Sequence, residues 1–456
     1  MAQQIQAGAT STTTANAPGQ SSYRWVICAL LFWVTTANYI DRSVFGNLAP
    51  EMPGRLHVTK EAWGVAYWNM QFFFQAAYGV SMLFMGRLMD VLGLRWGFVV
   101  ACAFWGLASM SHAFAPEIGA LFGAGPIAGF FICRILLGLG EGGNFPAAIK
   151  TVAEWFPKRE RALATGLFNS GSNVGGILVP WALPFVIALN IGGLTLGWRG
   201  AFLITAAIDL CWIIAWLAIY KKPEEHPRVS KAELALIQGE AAEPTVRIPW
   251  RRLLPYKQTW AFSVAKFLTD CFWWFYLFGS PDFFNRKFNL DLKGREYMIM
   301  LIYVVASVGS IAGGWLAGAL MKLGWSVNKA RKITMLICAA CVVPVVYSAI
   351  TDNKWVAAVL ITLAASAHQA WSANLFSLTG DMFPRRVVGS VTGLGGMFGA
   401  VGGMALFYTT GKVLGTTGNY FPVFVMGSIA YLLALLIVHI LVPRLEVADI
   451  EDKAVA

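Results

Sequence analysis

Apolar runs of about twenty residues recur from Trp25 to Val442, separated by short charged segments. A helix of that length spans the bilayer's hydrocarbon layer, which is roughly 30 Å thick. Hydrocarbon offers backbone groups no water, so only helices or closed barrels cross it. The runs lack the period-two alternation of barrel strands. The expected fold class is therefore an all-α polytopic membrane protein. Composition agrees: 57% of the chain is hydrophobic and 13% charged, where a soluble domain would carry about a quarter charged residues.

Twelve spans are expected, at 25–48, 62–85, 97–115, 126–149, 162–190, 199–220, 259–284, 297–321, 333–350, 355–379, 388–413 and 421–442. The net charge of +11 gathers in alternate loops, the positive-inside pattern rather than a nucleic-acid surface. The basic loops are 86–96, 150–161, 221–258, 322–332 and 385–386, which puts both termini in the cytoplasm. The implied layout is a disordered tail (1–22), a six-helix bundle (23–220), a cytoplasmic linker (221–258), a second six-helix bundle (259–443) and a short tail (444–456). Within the linker, Ser230 to Glu243 reads as a surface helix with Ser230 and Glu233 as a capping box. All seven cysteines lie in apolar spans. Cys338 and Cys341 form a CxxC inside an expected helix, which reads as packing rather than a redox or metal site.

The halves repeat. Pro157 and Pro384, Gly166 and Gly393, and Gly175 and Gly402 are each 227 residues apart. A tandem six-span repeat implies a pseudo-twofold axis along the membrane normal and a central site between halves.

Ionisable residues inside spans point to that site, because a charge at membrane depth is costly and faces the bundle interior or a wet cavity. Arg134 and Glu141 lie in RILLGLGEGGNFP, about two helical turns apart and on one face. Gly138, Gly140, Gly142 and Gly143 strip bulk from the same helix, which suits close packing. Asp41 and Arg42 are adjacent in the first span and point about 100° apart, so each needs a partner elsewhere. Arg134 is the expected mate of Asp41, which leaves Arg42 to grip a carboxylate with its fork. A static Asp41–Arg134 pair is the alternative. Glu141 has no neighbouring charge in sequence; it reads as a carboxyl that can trade its charge for a proton, or as a permanently neutral packing residue. Lys266 and Asp270, four apart, can pair along their own helix, as a structural pair or a coupling element. In the aromatic block that follows, Tyr276 is the expected sugar-ring contact. Gln369, Trp371 and Asn374 offer polyol contacts from the tenth span, and His368 reads as a proton relay or a core residue. Asn169, Tyr39 and Tyr78 complete the candidate site.

The segment GRLMDVLGLR (Gly86 to Arg95) resembles the loop motif of the major facilitator superfamily. By that likeness Asp90 and Arg95 gate or brace the bundle. NYIDR (from Asn38), RILLGLGEGGNFP, AEWFPKRERALATGLFNSGSNVG (from Ala153), KFLTDCFWWFYLF (from Lys266) and AHQAWSANLFSLTGDMFP (from Ala367) together resemble the anion:cation symporter family, in its hexuronate branch. The likeness runs from Tyr23 to Pro443. Gly279-Ser280 stands where that branch carries Trp-Leu, and Cys271 where it carries proline. The resemblance implies proton-coupled uptake of a sugar acid such as galacturonate or glucuronate by alternating access, in the bacterial inner membrane, by a functional monomer without cofactor. It assigns the proton to Asp41 and Glu141 and the substrate to Arg42, Arg134 and nearby polar groups. Aldonates and dicarboxylates stay open as substrates. A drug exporter would have little use for Arg42 and Arg134. A membrane enzyme would need a nucleotide loop, ligand cluster or nucleophile elbow, and none is recognisable in the chain.

Overall fold

A computed structural model describes residues 21–191, 194–238 and 250–450. The long helices are Arg24–Leu48 (α1), Lys60–Ser111 (α2), Pro126–Glu141 (α3), Asn144–Trp155 (α4), Lys158–Ala188 (α5), Gly197–Ile219 (α6), Lys257–Phe288 (α7), Leu292–Lys322 (α8), Val327–Val342 (α9), Lys354–Met382 (α10), Arg385–Thr417 (α11) and Phe421–Leu441 (α12). They make twelve crossings, because α2 holds two and α3 with α4 makes one. The two crossings of α2 meet at Gly93, whose φ of 73° and ψ of 162° turn the chain; glycine reaches that conformation without strain. The expected 86–96 loop is therefore mostly helix. Among the described residues the one sheet is a two-residue pairing, Asn190–Ile191 with Leu194–Thr195.

Nine segments among the described residues are long and apolar enough to cross a membrane. The remaining crossings are α1, the first part of α2, and α7. They carry Asp41 and Arg42, Gln71 and Gln75, and Lys266 and Asp270, and these polar residues are buried or half-buried inside the protein. The helices that look least membranous are thus those that line the interior.

The sequence repeat reappears as packing. α1 packs on α5 and α2 on α3, just as α7 packs on α11 and α8 on α10. The halves then join through α2 with α11, α5 with α8, and α1 with α7. Glycine sets these approaches. A Cβ on Gly175 would meet Thr36 O of α1 at 2.7 Å, and its repeat mate Gly402 would strike Phe267 O of α7. Between α5 and α8, Gly176 leaves room for the Tyr303 ring.

One end of the molecule is latched across the halves. Arg295 Nη2 donates to Asn47 O at 2.7 Å, and Arg295 Nη1 to Glu51 Oε1 at 3.1 Å. Arg286 Nη2 reaches Lys60 O, and Tyr67 donates to Phe278 O. At the opposite end the first part of the linker grips the first half. Lys231–Gln238 forms the expected surface helix, with Ser230 Oγ accepting from Glu233 N. Glu233 does not return the capping-box bond. Its carboxylate accepts instead from Tyr23 N, Arg24 N and Arg24 Nη1, capping the start of α1. An acid there complements the helix dipole. Expected linker-helix residues 239–243 lie outside the described residues.

The glycine stripe of α3 gives a prediction. A Cβ on Gly138 would sit 2.5 Å from Phe74 O, and one on Gly140 2.7 Å from Trp105 Cβ. Overpacking costs about 1–3 kcal/mol. Gly138→Val should lower the thermal midpoint in detergent, whereas Gly166→Ala, with open space around it, should leave it unchanged; tryptophan fluorescence reads both.

Candidate functional site

The charged residues converge in the first bundle, near where it meets α7. Arg42 of α1 donates from Nε and Nη2 to Glu141 Oε2, at 2.8 and 2.6 Å. Both side chains are fully buried. Glu141 is the last residue of α3, where the helix gives way at Gly142. Aromatic faces enclose the guanidinium of Arg42: its carbon lies 4.8 Å from the Tyr78 ring centroid, 5.1 Å from Tyr39, 5.3 Å from Phe74 and 5.3 Å from Trp274. Such cation–π contacts gain strength away from water.

Arg134 follows a different pattern from the expected one. It does not pair with Asp41. Arg134 Nη2 donates to Gln71 Oε1 at 2.6 Å, and its guanidinium lies 4.0 Å from the Phe74 ring centroid. Its Nε and Nη1 have no acceptor among the described residues. Asp41 turns the other way, accepting from Ser109 Oγ at 2.6 Å and facing Asp209 of α6. The physical reason is the one that separates neighbours on a helix: with Arg42 aimed at α3, Asp41 points toward α2 and α6. Of the two arginines at this site, Arg134 is the one without a carboxylate partner among the described residues, the reverse of the expected roles.

The other candidates divide. Tyr39 and Tyr78 lie against Arg42. Tyr276 does not; it is buried beside Phe275, and the aromatic that reaches Arg42 is Trp274. Two helical positions are about 200° apart, so only one of the pair can face the site. Lys266, which is buried, and Asp270, which is half-buried, pair at 2.5 Å along α7. His368 Nδ1 bonds Tyr431 Oη at 2.7 Å and its ring stacks on Trp273. Trp371 packs edge-on against Tyr431. Asn374 is occupied: its amide donates to Gly313 O and Ala370 O, and its oxygen accepts from Arg331 Nη1. Gln369 is half-buried and Asn169 exposed. Arg95 ties α2 to α6 by donating to Leu217 O. The side chain of Asp90 lies outside the described residues. An apolar groove of about 180 Å³ between α1, α5 and α6 is lined by no ionisable group and is not this site.

Gln71, Phe74, Ser109 and Asp209 are not among the expected site residues, and Trp274 replaces Tyr276 as the member of the aromatic block at the site. Asp209 had a signal, as the only charged residue between Gly200 and Tyr220.

The Major Facilitator Superfamily profile matches residues 31–407. The chain belongs to the Major Facilitator Superfamily. Like the family, it is a transporter and not an enzyme. It is 27% identical over 435 residues to the hexuronate transporter of Escherichia coli K12, covering 93% of this chain and 96% of that one. The galacturonate transporter of Dickeya chrysanthemi is 28% identical over 298 residues, 64% of this chain and 81% of that one. The D-galactonate transporter of Escherichia coli O6:H1 is 25% identical over 407 residues, 86% and 89% of the two chains. Among solved structures, the inward-open xylose transporter from E. coli superposes with a TM-score of 0.71 at 14% identity, over 91% of this chain and 96% of that one. That likeness shows the fold.

In this superfamily member the observed pairing predicts a double-mutant cycle. Breaking a buried ion pair from one side costs about 3–5 kcal/mol, because the partner stays charged and unpaired. Arg42→Ala and Glu141→Ala should each lower the thermal midpoint strongly, and the double variant should cost less than their sum. Asp41→Asn with Arg134→Ala should be additive; the opposite result for the two cycles restores the Asp41–Arg134 pairing.

Proposed function

We propose that this transporter takes up a sugar acid, a hexuronate such as galacturonate or glucuronate, together with a proton. The observation that carries the proposal is the uneven pairing of two buried arginines. Arg42 is held by Glu141, while Arg134 presents two N–H groups with no acceptor among the described residues. A second carboxylate is the natural partner for such a pair of guanidinium groups.

In the proposed cycle a proton neutralises Glu141 and loosens its hold on Arg42. The substrate carboxylate then takes the place of the Glu141 carboxylate between the arginines, so net charge in the dehydrated interior does not change. One proton thus accompanies one carboxylate. Tyr39, Phe74, Tyr78 and Trp274 already wall the Arg42 guanidinium, and aromatic faces of this kind suit the C–H surface of a pyranose ring. Alternating access moves the bundles 23–220 and 259–443 about this point. The termini and the 221–258 linker are placed in the cytoplasm by the basic loops, and the membrane is the bacterial inner membrane. On that orientation the Arg295–Glu51 latch closes the outer end. The substrate class draws support from relatives that carry hexuronate and galacturonate names. The aldonate alternative draws on the galactonate relative.

Uptake of labelled galacturonate into proteoliposomes tests this. Wild type should respond to an inward proton gradient. Glu141→Gln should lose that response while still exchanging substrate across the membrane. Arg134→Lys, which keeps the charge but loses the planar fork, should weaken affinity at least tenfold, or about 1.4 kcal/mol. Activity on galactonate alone would replace the substrate, and uptake indifferent to the gradient would refute the coupling.

A further inference from the structure

Outside the arginine site lies a second cluster of buried acid. Asp41 of α1 and Asp209 of α6 face one another, each about 1% exposed. Ser109 Oγ donates to Asp41 Oδ1 at 2.6 Å and lies 3.1 Å from Thr205 Oγ1. The Trp105 indole N–H, fully buried on the α2 face beside this cluster, has no hydrogen-bond acceptor among the described residues. Asp41 Oδ2 and both Asp209 oxygens have no hydrogen-bond donor among the described residues. The backbone makes room for this: a Cβ on Gly106 would come within 3.1 Å of Asp209 Oδ2.

Every element packed against the pair adds acid or a neutral group. α1 gives Asp41, whose neighbour Arg42 points away to Glu141. α2 gives Cys102, Trp105 and Ser109. α3 gives Glu141, and α6 gives Thr205 and Asp209. Among the described residues no Lys, Arg or His forms an ion pair with either aspartate. The charge count is then informative. Apart from Arg24, which is paired with Glu160 and Glu233 at the start of α1, the buried charges of this bundle among the described residues are two cations, Arg42 and Arg134, against three acids, Asp41, Glu141 and Asp209. Two carboxylates side by side in a dry site cannot both stay ionised at acceptable cost, so such pairs share one proton. One shared proton also brings the count to zero.

We propose that Asp41 and Asp209 hold one proton between them, so that Asp209 is part of the transporter's proton machinery. This deepens the coupled reading above and rests on it for its functional meaning. The shared proton binds the α6 carboxyl to the α1 carboxyl. Losing it leaves two facing charges next to Arg42 on α1, so it ties the position of α6 to the charge state of the arginine site. The role of Asp209 is therefore to position and protonate, not to touch substrate.

Infrared spectroscopy of the full-length protein in lipid tests the proton without any substrate. The difference between wild type and the Asp41→Asn/Asp209→Asn double variant should contain one protonated-carboxyl C=O band at neutral pH. Acidification should add a second band of equal area. Ser109→Ala, which keeps both acids and removes the donor to Asp41 Oδ1, should shift the frequency of the first band. No band at neutral pH, or two carboxyls' worth, overturns the proposal. The functional half is read separately. Asp209→Asn should move the pH profile of gradient-driven galacturonate uptake by at least one unit, and Asp209→Glu should restore it in part. A profile that coincides with wild type removes Asp209 from coupling. If the protein carries no sugar acid at all, the infrared result still stands or falls by itself.

Discussion

The interior of the first bundle is organised around the cost of keeping Arg42 charged in a place without water. A guanidinium taken out of solvent loses several kcal/mol of hydration, recovered only with a close counter-charge and satisfied N–H groups. Glu141 supplies the charge, and Tyr39, Phe74, Tyr78 and Trp274 supply the surrounding faces. The pair joins α1 to the end of α3, and the glycines of α3 let that helix come close enough to α2 to be reached. Trp274 comes from the second bundle. The ion pair therefore sits where the halves meet, and a change in its charge is felt by both.

Arg134 shows what the same cost does when left partly unmet. It keeps one strong hydrogen bond to Gln71 and a close ring contact with Phe74, yet two of its N–H-bearing atoms have no acceptor among the described residues. A group in that condition binds an anion more readily than a satisfied one does. In the proposed cycle this asymmetry lets a substrate carboxylate replace the Glu141 carboxylate without building new charge in the bundle.

Much of this was legible in the chain. The twelve apolar runs, the 227-residue offset and the membrane charges Asp41, Arg42, Arg134 and Glu141 are one-dimensional signals, and each appears in the fold where hydrophobic burial and the price of charge require. The pairing was not legible. Which arginine meets which acid depends on helix rotation, and a helical position moves the side chain by about 100° per residue. The same reasoning explains Trp274 in place of Tyr276. His368 and Asn374 looked like ligands because polar residues in a membrane helix attract that reading. Here they hold α10 to α12 and α8. The latch at Arg295 and the cap by Glu233 join residues more than 200 positions apart, beyond any local pattern.

The central claim is that substrate and proton arrive together because the substrate carboxylate displaces that of Glu141 from Arg42. Isothermal titration of galacturonate into the purified transporter, repeated in buffers of different ionisation enthalpy, counts the protons taken up per molecule bound. The account predicts about one proton per substrate near neutral pH for wild type and close to none for Glu141→Gln. Tight binding with no proton uptake by the wild-type protein would contradict it.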